Sequence, residues 1–110
     1  MPIHVLAILT PKHDRVARLE ELAKEVADGV QATEPGVLQY QWFKTITPEG
    51  PKIVVWEVYA DEAAVNIHKT GPKLTWLIET EKKEGNFAAP LQVLPLEHFA
   101  GFAGRESSKI

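Results

Sequence analysis

Apolar residues recur with two different periods along this chain, and the change of period separates strands from helices. Ile3 to Leu9 is an apolar run interrupted only by His4, which predicts a buried strand. The next segment instead repeats at steps of three and four, with charged residues between, which predicts an amphipathic helix. Its inward positions are Val16, Leu19, Leu22, Ala23, Val26 and Val30.

Turn-forming residues mark where this helix should begin and end. Thr10-Pro11 predicts the start, because a hydroxyl can cap the first turn and proline suits the first helical position. Pro35-Gly36 predicts the end. Residues 37–45 are rich in aromatic and β-branched side chains, and they predict a second strand.

The second half of the chain predicts a hairpin, a broken helix and a last strand. The turn formers at 47–51 should reverse the chain into a third strand at 52–59. Asp61 should cap a second helix that runs to about Thr70, where Gly71-Pro72 breaks it and starts another helical piece. Gly85-Asn86 should stop that piece. Residues 91–96 predict a strand whose proline suggests a sheet edge or a bulge.

The predicted order is β-α-β-β-α-β, an α+β arrangement. We assign residues 1–98 to one domain and residues 99–110 to a C-terminal tail. The strands are apolar on both faces: Ile53, Val55 and Tyr59 alternate with Val54, Trp56 and Val58. Helices suffice for one layer only, so a second copy of the sheet should cover the other face as a homodimer. The alternative is that the tail covers that face.

Composition narrows the class of protein. The chain has 110 residues, a formal charge of −3 and no cysteine. Without a basic stripe there is no argument for a nucleic acid partner, and without cysteines there is no thiolate metal site. The absence of a signal segment and of a long apolar run predicts a cytoplasmic protein with no membrane partner.

One stretch resembles a known family. Val54 to His68 reads VVWEVYADEAAVNIH, a strand ending in an aromatic-Glu-Val-aromatic pattern, followed by an acidic cap, an alanine and a helical histidine. This pattern is similar to that of the antibiotic biosynthesis monooxygenase family. Pro35-Gly36-Val37-Leu38 followed by Tyr40 resembles that family's turn into its second strand. The resemblance covers about residues 3 to 97.

The resemblance implies a ferredoxin-like subunit with an antiparallel sheet, a dimeric α+β barrel, and a pocket between sheet and helices. Many members oxidise phenols, anthrones or hydroquinones with O2 and no metal or flavin, so we expect no cofactor and no metal. Other members degrade haem or are isomerases. In the haem-degrading branch an axial histidine follows a helical tryptophan by about ten residues, and those positions here hold His68 and Ile78.

His68 is the candidate catalytic residue. Counted from Asp61, it lies one turn after Ala64 on an inward stripe. A half-buried imidazole can accept a phenolic proton at neutral pH. The alternative is a core histidine satisfied by a backbone carbonyl.

The candidate substrate-binding residues are aromatic, because flat rings suit a flat substrate. They are Tyr40, Trp42, Trp56 and Trp76. Glu57 stands on a mostly apolar strand, and we expect it to pair with a carboxylate across the subunit contact, with a general base as the alternative.

Taken with these residues, the resemblance implies a cofactor-independent monooxygenase acting on a phenolic, hydroquinone or polyketide-like aromatic substrate. The alternative is a non-enzymatic dimeric protein that binds small molecules on the same fold. An inward His68 beside an open cavity would favour the enzyme.

Overall fold

The computed structural model describes residues 2–105, and its element order is β-α-β-β-α-α-β. The elements are β1 Ile3–Leu9, α1 Val16–Thr33, β2 Val37–Lys44, β3 Ile53–Tyr59, α2 Glu62–Thr70, α3 Pro72–Glu84 and β4 Gln92–Leu96. The predicted α+β ferredoxin-like fold is confirmed.

The four strands form one antiparallel sheet in the order β2-β3-β1-β4. Ala7 lies opposite Val55, and Leu6 lies opposite Trp56. Because side chains alternate along a strand, the first pair faces the helices and the second faces away from them. We call these the inner face and the outer face. The last strand is an edge strand, as Pro95 predicted.

The core lies between α1 and the inner face. Leu19 and Val26 of α1 are fully buried, and each contributes about 1.5–3 kcal/mol by leaving water. They pack in one apolar cluster with Leu9 and Val55 of the sheet. The inward stripe predicted for this helix therefore forms the main apolar contact of the fold.

The predicted start of α1 is wrong. The helix begins at Val16, after Arg15, whose side chain makes no cap hydrogen bond. Pro11 instead forms an isolated bridge with Phe87, the residue after the buried Asn86. Pro11 is therefore positioned by a long-range contact, although the local sequence rule placed it at the start of the helix.

The caps of α2 and α3 follow the prediction. The Asp61 carboxylate accepts a hydrogen bond of 2.9 Å from the backbone N–H of Ala64. Pro72 opens α3, and Gly85 ends it with a left-handed φ of 66°, a conformation that glycine adopts without strain. None of the helices within residues 2–105 is both long and apolar enough for a bilayer crossing.

The outer face of the sheet stays open in the single chain. Phe43 is 48%, Trp56 37% and Leu94 43% exposed. The described part of the tail does not cover them, since Phe99 and Phe102 are themselves exposed.

Gly36 lets α2 approach the start of β2. A Cβ built on Gly36 would lie 2.6 Å from the Cβ of Ala64, which is closer than two carbon atoms can pack. The backbone N–H of Ala60 also donates to the Gly36 carbonyl at 2.8 Å. The glycine thus fixes how closely the helix that carries His68 sits on the sheet.

Gly36→Ala should therefore destabilise the fold by about 1–3 kcal/mol, because the added methyl forces α2 away from the sheet. Urea unfolding at 25 °C measures the change. Gly104→Ala is the control, because a Cβ there meets no atom within 4 Å. A Gly36→Ala protein as stable as the parent would contradict this packing argument.

Candidate functional site

A cavity of about 660 Å³ lies between the inner face of the sheet and helices α2 and α3. Its walls are mostly aliphatic, with Val5, Ala7 and Val55 from the strands and Leu74 and Leu77 from α3. A cavity of this size and character suits a small apolar molecule. A smaller cavity of about 260 Å³ lies between α1 and β2.

His68 lines the larger cavity and is 4% exposed, so the predicted inward placement is confirmed. Its partner is a side chain, whereas the alternative interpretation expected a backbone carbonyl. The Nδ1 atom lies 2.8 Å from Oε1 of Glu34, and both side chains are 5% exposed. This contact joins the C-terminal end of α1 to α2.

Glu34 follows the last residue of α1 and belongs to this site, although the sequence analysis did not single it out. Val26, Val30 and Glu34 are spaced by four, so they continue one stripe of the helix. The signal was a charged residue at the end of an apolar stripe, next to the helix-ending Pro35. Its partner lies 34 residues further along the chain, so the pair itself could not be found from spacing.

A second carboxylate lies near the first pair. Glu57 faces the cavity and accepts a hydrogen bond from the Tyr59 hydroxyl. The predicted pairing of Glu57 across a subunit contact is wrong, because strand alternation puts this side chain on the inner face. Burial raises the pKa of the Glu57 carboxyl, and this outweighs the opposing effects of Tyr59 and His68.

Two phenol rings enclose the imidazole. The ring centroids of Tyr40 and Tyr59 lie 5.2 Å and 5.7 Å from that of His68. Burial raises the pKa of both hydroxyls, and the hydrogen bond to Glu57 raises the pKa of Tyr59 further. Both phenols therefore stay protonated at neutral pH; the O–H of Tyr59 donates to Glu57, and that of Tyr40 can serve as a hydrogen-bond donor. We call these five residues the polar cluster: Glu34, Tyr40, Glu57, Tyr59 and His68.

Two of the four predicted aromatic wall residues line the cavity. Tyr40 and Trp42 contribute to its wall, and their rings pack edge to face at 5.8 Å. The indole Nε1 of Trp42 is buried and lacks a hydrogen-bond partner among residues 2–105.

The other two predicted wall residues lie elsewhere. Trp56 is on the outer face of the sheet, where its ring centroid is 6.4 Å from that of His4. The cavity side of α3 carries Leu74, Leu77 and Ile78, a stripe at helical spacing that excludes Trp76. The prediction that Trp56 and Trp76 line this pocket is therefore corrected.

Comparison with known proteins fits this arrangement. The model of the antibiotic biosynthesis monooxygenase family matches residues 2–76. The chain belongs to the antibiotic biosynthesis monooxygenase family. The match includes Glu34, Tyr40, Glu57, Tyr59 and His68, so the whole polar cluster lies within the family domain.

Solved structures agree on the fold. A candidate antibiotic biosynthesis monooxygenase from Caulobacter crescentus CB15 is 27% identical, with a TM-score of 0.77 over 90% of this chain and 91% of the other. Rv0793 from Mycobacterium tuberculosis is 20% identical, with a TM-score of 0.75 over 94% of this chain and 100% of the other. No curated protein matches the chain significantly.

Trp42→Leu should weaken the binding of a planar quinone by roughly 2- to 12-fold, because a ring contact is worth about 0.5–1.5 kcal/mol. Trp76→Leu is the matched control and should leave the dissociation constant unchanged. Isothermal titration calorimetry with a naphthoquinone measures both. Equal weakening by the two variants would contradict the assignment of the wall.

Proposed function

We propose that this protein is a cofactor-independent monooxygenase that oxidises a phenolic, hydroquinone or polyketide-like aromatic substrate with O2. The observation that carries the proposal is the buried His68 in the wall of a largely apolar cavity. The family name supports the reaction type. An inward imidazole beside a cavity also favours this function over the non-enzymatic binding protein.

The cavity suits a flat aromatic substrate whose acidic O–H or C–H group meets the polar cluster. His68 accepts that proton and leaves the substrate as a phenolate or carbanion. The aliphatic walls exclude water, which would otherwise solvate the anion and slow its oxidation. The protonated Tyr40 is close to the imidazole, where its hydroxyl can stabilise developing negative charge on the substrate oxygen.

The substrate anion itself reduces O2. One electron passes from the anion to O2, which gives a substrate radical and superoxide. The two combine into a carbon-bound hydroperoxide after protonation. Loss of water then leaves a carbonyl, so a CH2 group becomes C=O, with one oxygen atom of O2 in the product and the other in water.

The active form in this proposal is a homodimer that forms through the outer face of the sheet. This face carries exposed apolar side chains on several strands, among them Phe43, Trp56 and Leu94. A sheet face with several exposed apolar side chains is a common mark of an interface. A two-fold contact would bury the same residues on both copies.

His68→Asn should lower the oxidation rate by about 10²- to 10⁴-fold at neutral pH, because the amide can donate to Glu34 but cannot accept a proton as a base. The rate should recover partly at higher pH, where the substrate ionises unaided. Oxygen uptake with hydroquinones and anthrones measures the rate, and thermal unfolding checks the fold. His13→Ala removes an exposed histidine outside the cavity and serves as the control. A rate within a few-fold of the parent would refute the role of His68.

Trp56→Glu should convert the dimer into a monomer of 12.3 kDa, because a charge on the outer face cannot be buried at the contact. Light scattering at micromolar concentration measures the mass. Ile46→Glu makes the same change at a fully exposed turn residue and should leave the dimer intact. A monomeric parent protein would contradict the proposed interface, which should bury more than about 1,000 Å².

A further inference from the structure

The Glu34 carboxylate makes one side-chain hydrogen bond within residues 2–105, and its partner is His68. Oε1 lies 2.8 Å from the imidazole Nδ1. Oε2 is buried and lacks a hydrogen-bond partner among residues 2–105. The position of the carboxylate is therefore set by the histidine and by packing.

This position is unfavourable for a carboxylate on stability grounds. Glu34 caps the C-terminal end of α1, where the helix dipole is negative and repels an anion. The side chain is also 5% exposed, so it has lost most of its hydration. An apolar residue would continue the stripe of α1 at lower cost. Proteins retain such costs mainly where a function requires the group.

The backbone around Glu34 leaves room for the carboxylate. A Cβ built on Gly71 would lie 3.5 Å from Oε2 of Glu34 and 2.7 Å from the carbonyl oxygen of Ile67. Any other residue at this position would therefore clash with the Ile67 carbonyl of α2, whereas its distance to the carboxylate would be an ordinary van der Waals contact. Gly71 thus lets the break between α2 and α3 lie against Glu34 without crowding it.

The chemistry of the contact decides which ring nitrogen of His68 is available. An ionised carboxylate can only accept, so it favours a proton on Nδ1 of the neutral imidazole. Nε2 then has a lone pair and no proton. This is the form that a base needs, as in triads where a carboxylate selects the tautomer of a histidine.

The other titratable groups near the imidazole cannot replace Glu34. Glu57 accepts from Tyr59, and the phenols of Tyr40 and Tyr59 meet the imidazole through their rings. Lys69 follows His68 on α2 and is exposed at the cavity. Within residues 2–105, the imidazole of His68 makes one hydrogen bond, and its partner is Glu34.

We infer that Glu34 is the positioning residue of this site: it holds His68 as the Nδ1–H tautomer and directs the basic Nε2 to the substrate. The inference rests on the proposed function for its catalytic meaning. The tautomer itself is a property of the protein without substrate. The tautomer assignment and the proposed catalytic function can therefore be refuted separately.

The ¹⁵N spectrum of histidine-labelled parent protein tests the tautomer directly. The chain has four histidines, and His68→Asn identifies the signal of interest. At the pH of the assay we expect a protonated Nδ1 and an unprotonated Nε2. A protonated Nε2 at that pH, in either the neutral or the charged ring, would overturn the inference even if every variant failed to fold.

Glu34→Gln tests the cause. The amide can either accept from Nδ1–H or donate to Nδ1, so it should no longer select one tautomer, and both should appear in the spectrum. Glu25→Gln makes the same change at an exposed position of α1 and should leave the spectrum unchanged. A Glu34→Gln protein that is folded and keeps the single parent tautomer would overturn the inference.

Kinetics supply the second readout. Glu34→Gln should lower kcat by about 10²- to 10⁴-fold while KM stays within about threefold, because the amide neither selects the tautomer nor carries the negative charge that stabilises the imidazolium once the base has taken a proton, and the side chain does not touch the substrate. An unchanged kcat in a folded variant would overturn the positioning role. If the parent oxidises none of the phenols while its tautomer depends on Glu34, the proposed reaction is wrong and the pairing stands.

Discussion

Strand alternation divides the sheet into two apolar faces, and the helices of the chain cover one of them. Most other features follow from this constraint. On the inner face α1 packs directly on the strands, whereas α2 and α3 leave a cavity of about 660 Å³ beneath them. On the outer face Trp56 and Leu94 remain exposed. Whether a strand residue can line the cavity therefore depends first on which of the two faces its side chain occupies, and only then on its chemistry.

Strand alternation and local helix caps explain what could be predicted from the sequence. Asp61 and Gly85 bound their helices correctly because caps and left-handed ends depend on neighbouring residues. Strand alternation alone would have placed Trp56 away from the helices, but its aromatic side chain was taken to indicate a pocket wall. Pro11 and Glu34 were beyond such rules, since each is fixed by a partner far along the chain.

The two buried carboxylates of the site have different surroundings and so different capabilities. Glu57 receives a hydrogen bond from Tyr59, while burial raises the pKa of its carboxyl. Glu34 instead contacts the imidazole of His68. One carboxyl thus accepts from a phenol and the other pairs with an imidazole, so the two act on different neighbours.

The edge strand β4 forms one side of the cavity, and few buried contacts hold it in place. All five of its residues are exposed, it bonds along β1, and Pro95 has no N–H to donate. Segments with few buried contacts open locally at low free energy, so β4 should be among the first parts of the sheet to exchange its amide hydrogens. Val93 of this strand lines the cavity. Fraying of β4 would therefore open this side of the cavity to a ligand. Glu34 and His68 would keep their geometry, because they are carried by α1 and α2 and not by β4.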